Sequence, residues 1–504
     1  MEVTEMKAHK LVFDAHNPKD INLSEIEITA IQTDSREIKK NNLFIAIKGH
    51  TVDGHDFIEQ VVKQGTSLIV ANDDMLDAIS EDILGETGIV FVEDTYDYLS
   101  TLMNRFLDYP SHKLNVFGVT GTNGKTSTAN ILTQLLNEAG RNTGMIGTIG
   151  IRANNKTYPL ENTTPDPLSL QNTFDFMVDV GVQNTVMEVS SIGLVEQRTK
   201  GTDFSVAIYT NLSQDHLDFH GTMENYRDAK GILFREMKPK NQRDQTNYVV
   251  MNRDDGHADY YIGLSQAKVV TYGIEKTADY HASSIRFTEA GTQFTLTYRD
   301  EQYDIQTPLI GLFNVYNVLA AYAAAHIKGV SHKEIISILE HIDAIPGRLE
   351  TVSVPGKDDV LAIVDFAHTP DSLEKALQTV QQIEHNKIIS VFGCGGDRDA
   401  KKRPLMAQIG VDQSDLAIFT ADNPRTEDQS VIFEDMKAGL QGDNYLEIAS
   451  RHDAIAEAFK LAEKSDIILI AGKGHEDYQI VGREKHHFDD REEARAALKL
   501  RRNK

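Results

Sequence analysis

The chain has 504 residues, which points to about three domains, and its hydrophobic fraction of 40% supports packed cores. A formal charge of −25 sets the overall field against nucleic acid and anionic membranes, so an anionic substrate must be met by local basic pockets. The single cysteine, Cys394, excludes an intrachain disulfide. With no bilayer-length apolar run and no signal-peptide pattern at Met1-Glu2-Val3-Thr4-Glu5, a soluble cytoplasmic protein without membrane insertion is expected.

In chain order, residues 1–109 mix short strands and helices, with strands predicted at Leu43–Ile47 and Ser67–Ala71. Tyr109-Pro110-Ser111-His112 predicts a linker, because proline interrupts regular structure there. Leu114–Phe117 is a short apolar run that predicts a buried strand. It leads into Gly118-Val119-Thr120-Gly121-Thr122-Asn123-Gly124-Lys125-Thr126. Leu132, Leu135, Leu136 and Ala139 then recur at helical spacing, and Gly140 suits the helix stop. Strand, glycine-rich turn, Lys-Thr and helix make a phosphate-binding loop. Its backbone N–H groups and helix N-terminus meet phosphate oxygens, Lys125 reaches the β/γ-phosphates, and the Thr126 hydroxyl ligates Mg²⁺. The strict pattern wants glycine at 119, where Val119 stands; glycines occupy 118 and 121 instead.

Further along, polar motifs sit at the ends of apolar runs: Glu188-Val189-Ser190-Ser191, Thr210–His216, Asp365–His368, Gly393–Arg398, Asp422–Arg425 and Gly472–Glu476. Ligands bind at the carboxyl ends of strands in open parallel sheets, so these motifs predict two such sheets with one cleft between domains. Glu188 and His216, at the ends of apparent neighbouring strands, are candidate ligands of a divalent cation; the alternatives are a base-paired carboxylate and a satisfied structural histidine. Oxygen ligation favours Mg²⁺ over zinc. Lys230, on sequence grounds alone, is a solvated helix lysine. Residues 266–310 alternate apolar and polar around Glu289-Ala290-Gly291 and predict a hairpin. Ile345-Pro346-Gly347 predicts a second linker, and strands alternating with helices from 348 onward predict a second parallel sheet.

Thr120–Ser127, the Asn211–Lys230 run, Asn314-Val315-Tyr316-Asn317, Asp365–Pro370 and Gly395–Asp399, with Asn162-Thr163-Thr164 and Gly472–Glu476, together resemble the Mur ligases over nearly the whole chain. The resemblance implies an α/β protein of three domains. These are an N-terminal uridine-nucleotide domain (1–109), a central P-loop parallel-sheet ATPase domain (110–345) and a C-terminal Rossmann-like domain for the incoming amino acid (346–504). It implies an ATP-dependent acid–amino-acid ligase of cytoplasmic peptidoglycan precursor synthesis, monomeric, using ATP and Mg²⁺. The acceptor would be UDP-N-acetylmuramoyl-L-alanyl-D-glutamate, activated as an acyl phosphate, and closure of the third domain onto the second is expected.

By matching motif, Gly121, Thr122, Asn123, Gly124, Lys125, Thr126, Ser127, Asn314, Asn317, Arg348 and Asp365 would bind ATP. Thr33, Ser35, His50, Thr51 and Val52 would line the uridine nucleotide, and Asn162, Thr163, Thr164, Ser190, Glu196 and Arg198 the muramoyl-dipeptide. Lys125, Glu188, His216 and Lys230 would be the catalytic set, with Lys230 carbamylated by CO₂ and joining Thr126, Glu188 and His216 around Mg²⁺. Arg398, Asp422, Asn423, Pro424, Arg425, Gly472 and Glu476 would bind the added amino acid. The Asp422–Arg425 motif resembles that of enzymes using meso-diaminopimelate, whose extra carboxylate suits the planar fork of Arg425, with Glu476 receiving the distal ammonium. L-Lysine is the alternative amino acid, and a weakly catalytic nucleotide-sugar-binding homologue the alternative class; a folylpolyglutamate synthase is disfavoured by the N-terminal domain and by Asp422–Arg425. Two departures fall beside the dipeptide: Ile192 replaces a histidine and Glu196 a glutamine. Glu196 is unfavourable near an anionic substrate unless it is paired or turned away.

Overall fold

The computed structural model describes residues 5–502 apart from 19, 50, 80 and 289. It divides into two compact units at Thr271 and Tyr272. The first unit opens with a parallel sheet of β1 (Ala30–Gln32), β2 (Asn42–Ile45), β3 (Leu68–Asn72) and β4 (Gly88–Val92), paired in that order. Strands covered on both faces read as unbroken apolar runs. Here Leu43, Ile45, Val70 and Val90 face one core while Phe44, Ile69, Ile89 and Phe91 face the other. Helix α1 (Thr95–Phe106) starts where the Asp94 side chain accepts from the N–H groups of Tyr96 and Asp97, and it buries Leu99, Leu102, Met103 and Phe106. The Tyr109–His112 stretch is a packed 3₁₀ turn over Pro110–Lys113, with Pro110 and Ser111 buried.

The same unit holds a parallel sheet centred on β5 (Asn115–Thr120). Helix α2 (Lys125–Glu138) follows β5, and β6 (Thr143–Gly147), β7 (Asn184–Glu188), α3 (Ser191–Val195), β8 (Phe204–Tyr209), α4 (Met223–Glu236) and β9 (Tyr248–Asn252) come after it. The spatial order is β6-β7-β5-β8-β9. Gly118 lies inside β5, where a Cβ would stand 2.7 Å from the Phe204 ring, so its role is close packing. Val119 is likewise a buried strand residue. The glycine-rich turn therefore begins at Gly121, and valine at 119 leaves it untouched.

The second unit carries β10 (Tyr280–Thr288), β11 (Gly291–Tyr298) and β12 (Glu301–Thr307), each antiparallel to the next. That makes two consecutive hairpins where one was predicted; Glu289 of the predicted turn lies outside the described residues. Helix α5 (Leu312–Ile327) follows and is buried along most of its length. The parallel sheet contains β13 (Leu361–Asp365), β14 (Ile388–Phe392), β15 (Leu416–Phe419) and β16 (Ile467–Ala471) in the order β13-β16-β14-β15, with apolar cores on both faces. That order brings the loops after all four strands to one end, which is what positions the candidate site. Among the described residues no helix is long and apolar enough to cross a membrane.

Candidate active site

Gly121 has φ +146° and sits so close to Thr210 that a Cβ would stand 1.8 Å from its hydroxyl. Only glycine allows this approach, and it lets the loop close. The loop is clamped by the neighbouring strand end. Asn211 Oδ1 accepts from Asn123 N at 3.0 Å, Asn211 Nδ2 donates to Asn123 O at 3.0 Å, and Thr210 Oγ1 donates to Asn123 O at 2.7 Å. Lys125 Nζ donates to the carbonyls of Gly121 and Thr122, both at 2.9 Å. Thr126 Oγ1 donates to Glu188 Oε2 at 2.7 Å.

Glu188 is fully buried at the end of β7. Its Oε1 accepts from Thr148 N at 2.8 Å, and its backbone carbonyl accepts from Thr164 Oγ1 at 3.0 Å. The Thr164 hydroxyl also lies 3.1 Å from Ser190 Oγ, and Ser190 caps α3 through Gly193 N. Thr163 reaches Thr148 at 3.3 Å. Two residues predicted for the dipeptide thus join the phosphate-loop carboxylate in one network, and a third stands beside it. Arg198 donates from NH1 to Thr164 O at 2.8 Å and from Nε to Glu196 Oε2 at 2.8 Å. Glu196 is therefore paired, which resolves the conflict its charge posed.

Glu188 and His216 do not lie on neighbouring strands: β7 and β8 flank β5 from opposite sides. His216 is half-exposed, has φ +51°, and places Nε2 3.5 Å from Asp215 Oδ2. Among the described residues no group of three or more His, Cys, Asp or Glu could hold a metal. The oxygens that are brought together, the Thr126 hydroxyl and the Glu188 carboxylate, are the hard donors Mg²⁺ prefers, and to that extent the site fits it.

Lys230 is not a solvated helix lysine. Its side chain on α4 is buried, with Nζ donating to Gly121 O at 2.9 Å and standing 4.4 Å from the centre of the Tyr226 ring. Burial first, and then the charge of Lys125, hold its ammonium well below the usual lysine range. Tyr226, which the sequence reading overlooked, also lies 3.2 Å from Thr122 Oγ1, tying α4 to the phosphate loop.

In the N-terminal sheet Thr33 and Ser35 follow β1, and Thr51 and Val52 lie in the loop after β2. Because β1 and β2 pair in parallel, the two loops emerge at the same end. His50 lies outside the described residues.

In the second unit Asn314 and Asn317 are buried on α5, with Asn317 Nδ2 donating to Asn314 Oδ1 at 3.1 Å. Asp365 ends β13, where its carboxylate accepts from Leu349 N at 2.7 Å and Ala367 N at 2.8 Å. Burial still raises its pKa, against the pull of those N–H groups and of Arg348. Gly472 N donates to Asp365 O at 3.1 Å, which joins this group to the loop after β16.

Around that loop, Asn423 Nδ2 donates to Glu476 Oε2 at 3.0 Å, and Lys473 Nζ donates to Glu476 Oε2 at 3.1 Å and to Asn423 Oδ1 at 3.2 Å. Asp422 Oδ2 is buried and accepts no hydrogen bond. Pro424 leads into Arg425, which has φ +53°; its NH1 donates to Gly396 O at 2.8 Å. Arg425 forms no ion pair among the described residues. Arg398 is exposed on the adjacent loop. All seven predicted amino-acid residues thus lie on loops at one end of the sheet. Lys473 was missed as a participant, and nothing local marks it, because its burial arises from the folding of its loop against the one after β15. Cys394, with its thiol pushed up to about 12 by burial, has no nucleophilic part here.

A glycine-rich loop tied to a buried carboxylate in the first unit, and polar loops gathered at the strand ends of the second, are features that an ATP-dependent ligase uses. Three family patterns match: "Mur ligase family, catalytic domain" over residues 27–106, "Mur ligase middle domain" over 119–325, and "Mur ligase, glutamate ligase domain" over 347–474. The chain is 45% identical over 498 residues to a UDP-N-acetylmuramoyl-L-alanyl-D-glutamate–2,6-diaminopimelate ligase of Bacillus cereus, covering 99% of each. It is 46% identical to the enzyme of that name from Geobacillus kaustophilus, covering 94% of this chain and 96% of the relative. A solved structure titled as that ligase superposes with a TM-score of 0.73 at 33% identity, covering 96% of this chain and 97% of the other. The chain belongs to the Mur ligase family, ATP-dependent enzymes that form amide bonds.

Proposed function

We propose that this enzyme adds meso-diaminopimelate to UDP-N-acetylmuramoyl-L-alanyl-D-glutamate, in the cytoplasm and as a monomer. In this reading residues 1–109 hold the uridine nucleotide, 110–345 the ATP, and 346–504 the amino acid. The observation that carries the choice of amino acid is Arg425: it donates to the carbonyls of Gly396 and Asn423, forms no ion pair among the described residues, and shares a loop cluster with Glu476 and Asp422. A fork of that kind suits the distal carboxylate of diaminopimelate, and the two acidic side chains suit its ammonium groups.

The chemistry follows from the chain's own groups. Backbone N–H groups of Gly121–Thr126 hold the ATP phosphates, and Lys125 leaves the carbonyls of Gly121 and Thr122 to neutralise charge on the transferred phosphoryl. The γ-phosphoryl passes to the free carboxylate of D-glutamate, giving an acyl phosphate and ADP. The amine of diaminopimelate attacks the acyl carbon and phosphate leaves. Thr126, Glu188, His216 and Lys230 as its carbamate would hold Mg²⁺, which when bound supplies further charge neutralisation at the phosphates. Burial favours the neutral amine of Lys230, the form that attacks CO₂; an N–C bond forms, a proton is lost, and the product is an anion. In the second unit, Asn314, Asn317, Arg348 and Asp365 are the residues proposed to bind ATP. Thr33, Ser35, Thr51 and Val52, with Asn162, Thr163, Thr164, Ser190 and the paired Arg198, receive the nucleotide-dipeptide.

The test is phosphate release with ATP, the nucleotide-dipeptide, and either meso-diaminopimelate or L-lysine at equal concentration. Clear preference for meso-diaminopimelate is expected; preference for L-lysine overturns the assignment of Arg425.

A further inference from the structure

Lys473 is a fully buried cation in the loop after β16, and its Nζ is held by Asn423 Oδ1 at 3.2 Å and Glu476 Oε2 at 3.1 Å. Stability alone explains such a lysine poorly, because buried ion pairs are commonly replaced by apolar residues at no loss. What the arrangement achieves is an asymmetric carboxylate. Glu476 Oε2 receives two donors, Lys473 Nζ and Asn423 Nδ2, the latter at 3.0 Å. Among the described residues Oε1 meets only the Tyr478 hydroxyl, at a long 3.4 Å. The Glu476 side chain retains 19% exposure. A carboxylate oxygen with unused lone pairs is the one left for an incoming donor.

We propose that Lys473 is a positioning residue of the amino-acid site: with Asn423 it clamps Glu476 Oε2 and so presents Oε1 to the distal ammonium of the substrate. This rests on the proposed function, which places the diamino acid at Glu476. Two effects of removing Lys473 oppose each other. Losing a nearby cation would strengthen attraction for an ammonium, whereas losing the clamp leaves a partly buried carboxylate free to rotate. The clamp dominates, because Lys473 supplies one of the two close donors to Oε2 among the described residues.

The experiment compares Lys473→Met, Glu476→Gln and the double variant by steady-state kinetics. Lys473→Met should raise KM for meso-diaminopimelate by ~10–100-fold, as loss of a charged hydrogen bond does, while KM for ATP and for the nucleotide-dipeptide moves by less than ~2-fold. In the Glu476→Gln background the same change should add less than ~2-fold, because the residue acts only through Glu476. An unchanged or lowered KM in Lys473→Met overturns the proposal, as does an equal rise in the Glu476→Gln background. If Lys473→Met loses its cooperative thermal transition, the comparison of Glu476→Gln with the double variant decides, since no unpaired carboxylate remains there. A wild-type enzyme that prefers L-lysine refutes the proposed amino acid separately. The clamp is then read on the ε-ammonium of L-lysine with the same variants and the same criteria.

Discussion

Replacing Lys230 by methionine should make the protein more stable and inactive. The Lys230 side chain is buried between α4 and the glycine-rich loop, donates among the described residues only to Gly121 O at 2.9 Å, and feels the charge of Lys125 more than the opposing charge of Asp215. Methionine matches its length and carries no charge. Gly121 O is not orphaned by the change, because Lys125 Nζ also donates to it at 2.9 Å. Relief of a buried charge is worth ~1–4 kcal/mol, and the lost contact with the Tyr226 ring costs ~0.5–2 kcal/mol. The balance is a gain of ~1–2 kcal/mol, or roughly 2–8 °C in Tm for a unit of this size. The sign with pH follows from linkage. The folded pKa lies below the unfolded one, so the unfolded chain binds more protons between them and wild-type stability rises with pH across that window. The gain in Lys230→Met should therefore be full below the folded pKa and shrink toward pH ~10.4, the free lysine value. Calorimetry at pH 7 and pH 10 on metal-free protein stripped of bicarbonate measures it, since the carbamate would mask the effect. A variant that melts below wild type at pH 7, or a gain that does not shrink at pH 10, refutes the reasoning.

Lys125→Ala should keep the fold and lose ~10²–10³ in phosphate release, the cost of one fixed electrostatic contact to the transferring group; circular dichroism beside the assay separates the two effects. Arg425→Ala should raise KM for meso-diaminopimelate by an amount equivalent to ~2–5 kcal/mol and leave ATP binding unchanged by calorimetric titration. In the second unit, Tyr280 OH lies 2.6 Å from His326 Nδ1, and burial, with His332 and Arg299, lowers the His326 pKa to about 4. The unfolded chain then binds more protons between about 4 and 6.5, so stability should fall as pH drops through that window. Hydrogen exchange on α5 as a function of pH reads this, and a His326→Asn variant should flatten the slope.

Much of the site was legible in the sequence, because its signals are local. A strand running into Gly121–Thr126 and then an amphipathic helix can be read from adjacent residues, and so can polar motifs such as Asp422–Arg425 following apolar runs. What only the tertiary structure decided depends on which strands lie side by side. Glu188 and His216 read as neighbours in sequence order, yet β5 stands between their strands. Gly118 counted as part of the loop until the Phe204 ring against it showed a packing glycine. Glu196 carried an unexplained charge until Arg198 was found paired with it. Lys230 and Lys473 look like any exposed lysine in sequence, yet both are buried, with Nζ donating to Gly121 O and to Asn423 Oδ1 of other loops. Glu196 is the local exception, its partner standing two positions on. For the others, propensity and periodicity act over one or two helical turns, whereas burial and strand neighbours are set by residues tens to more than a hundred positions away along the chain.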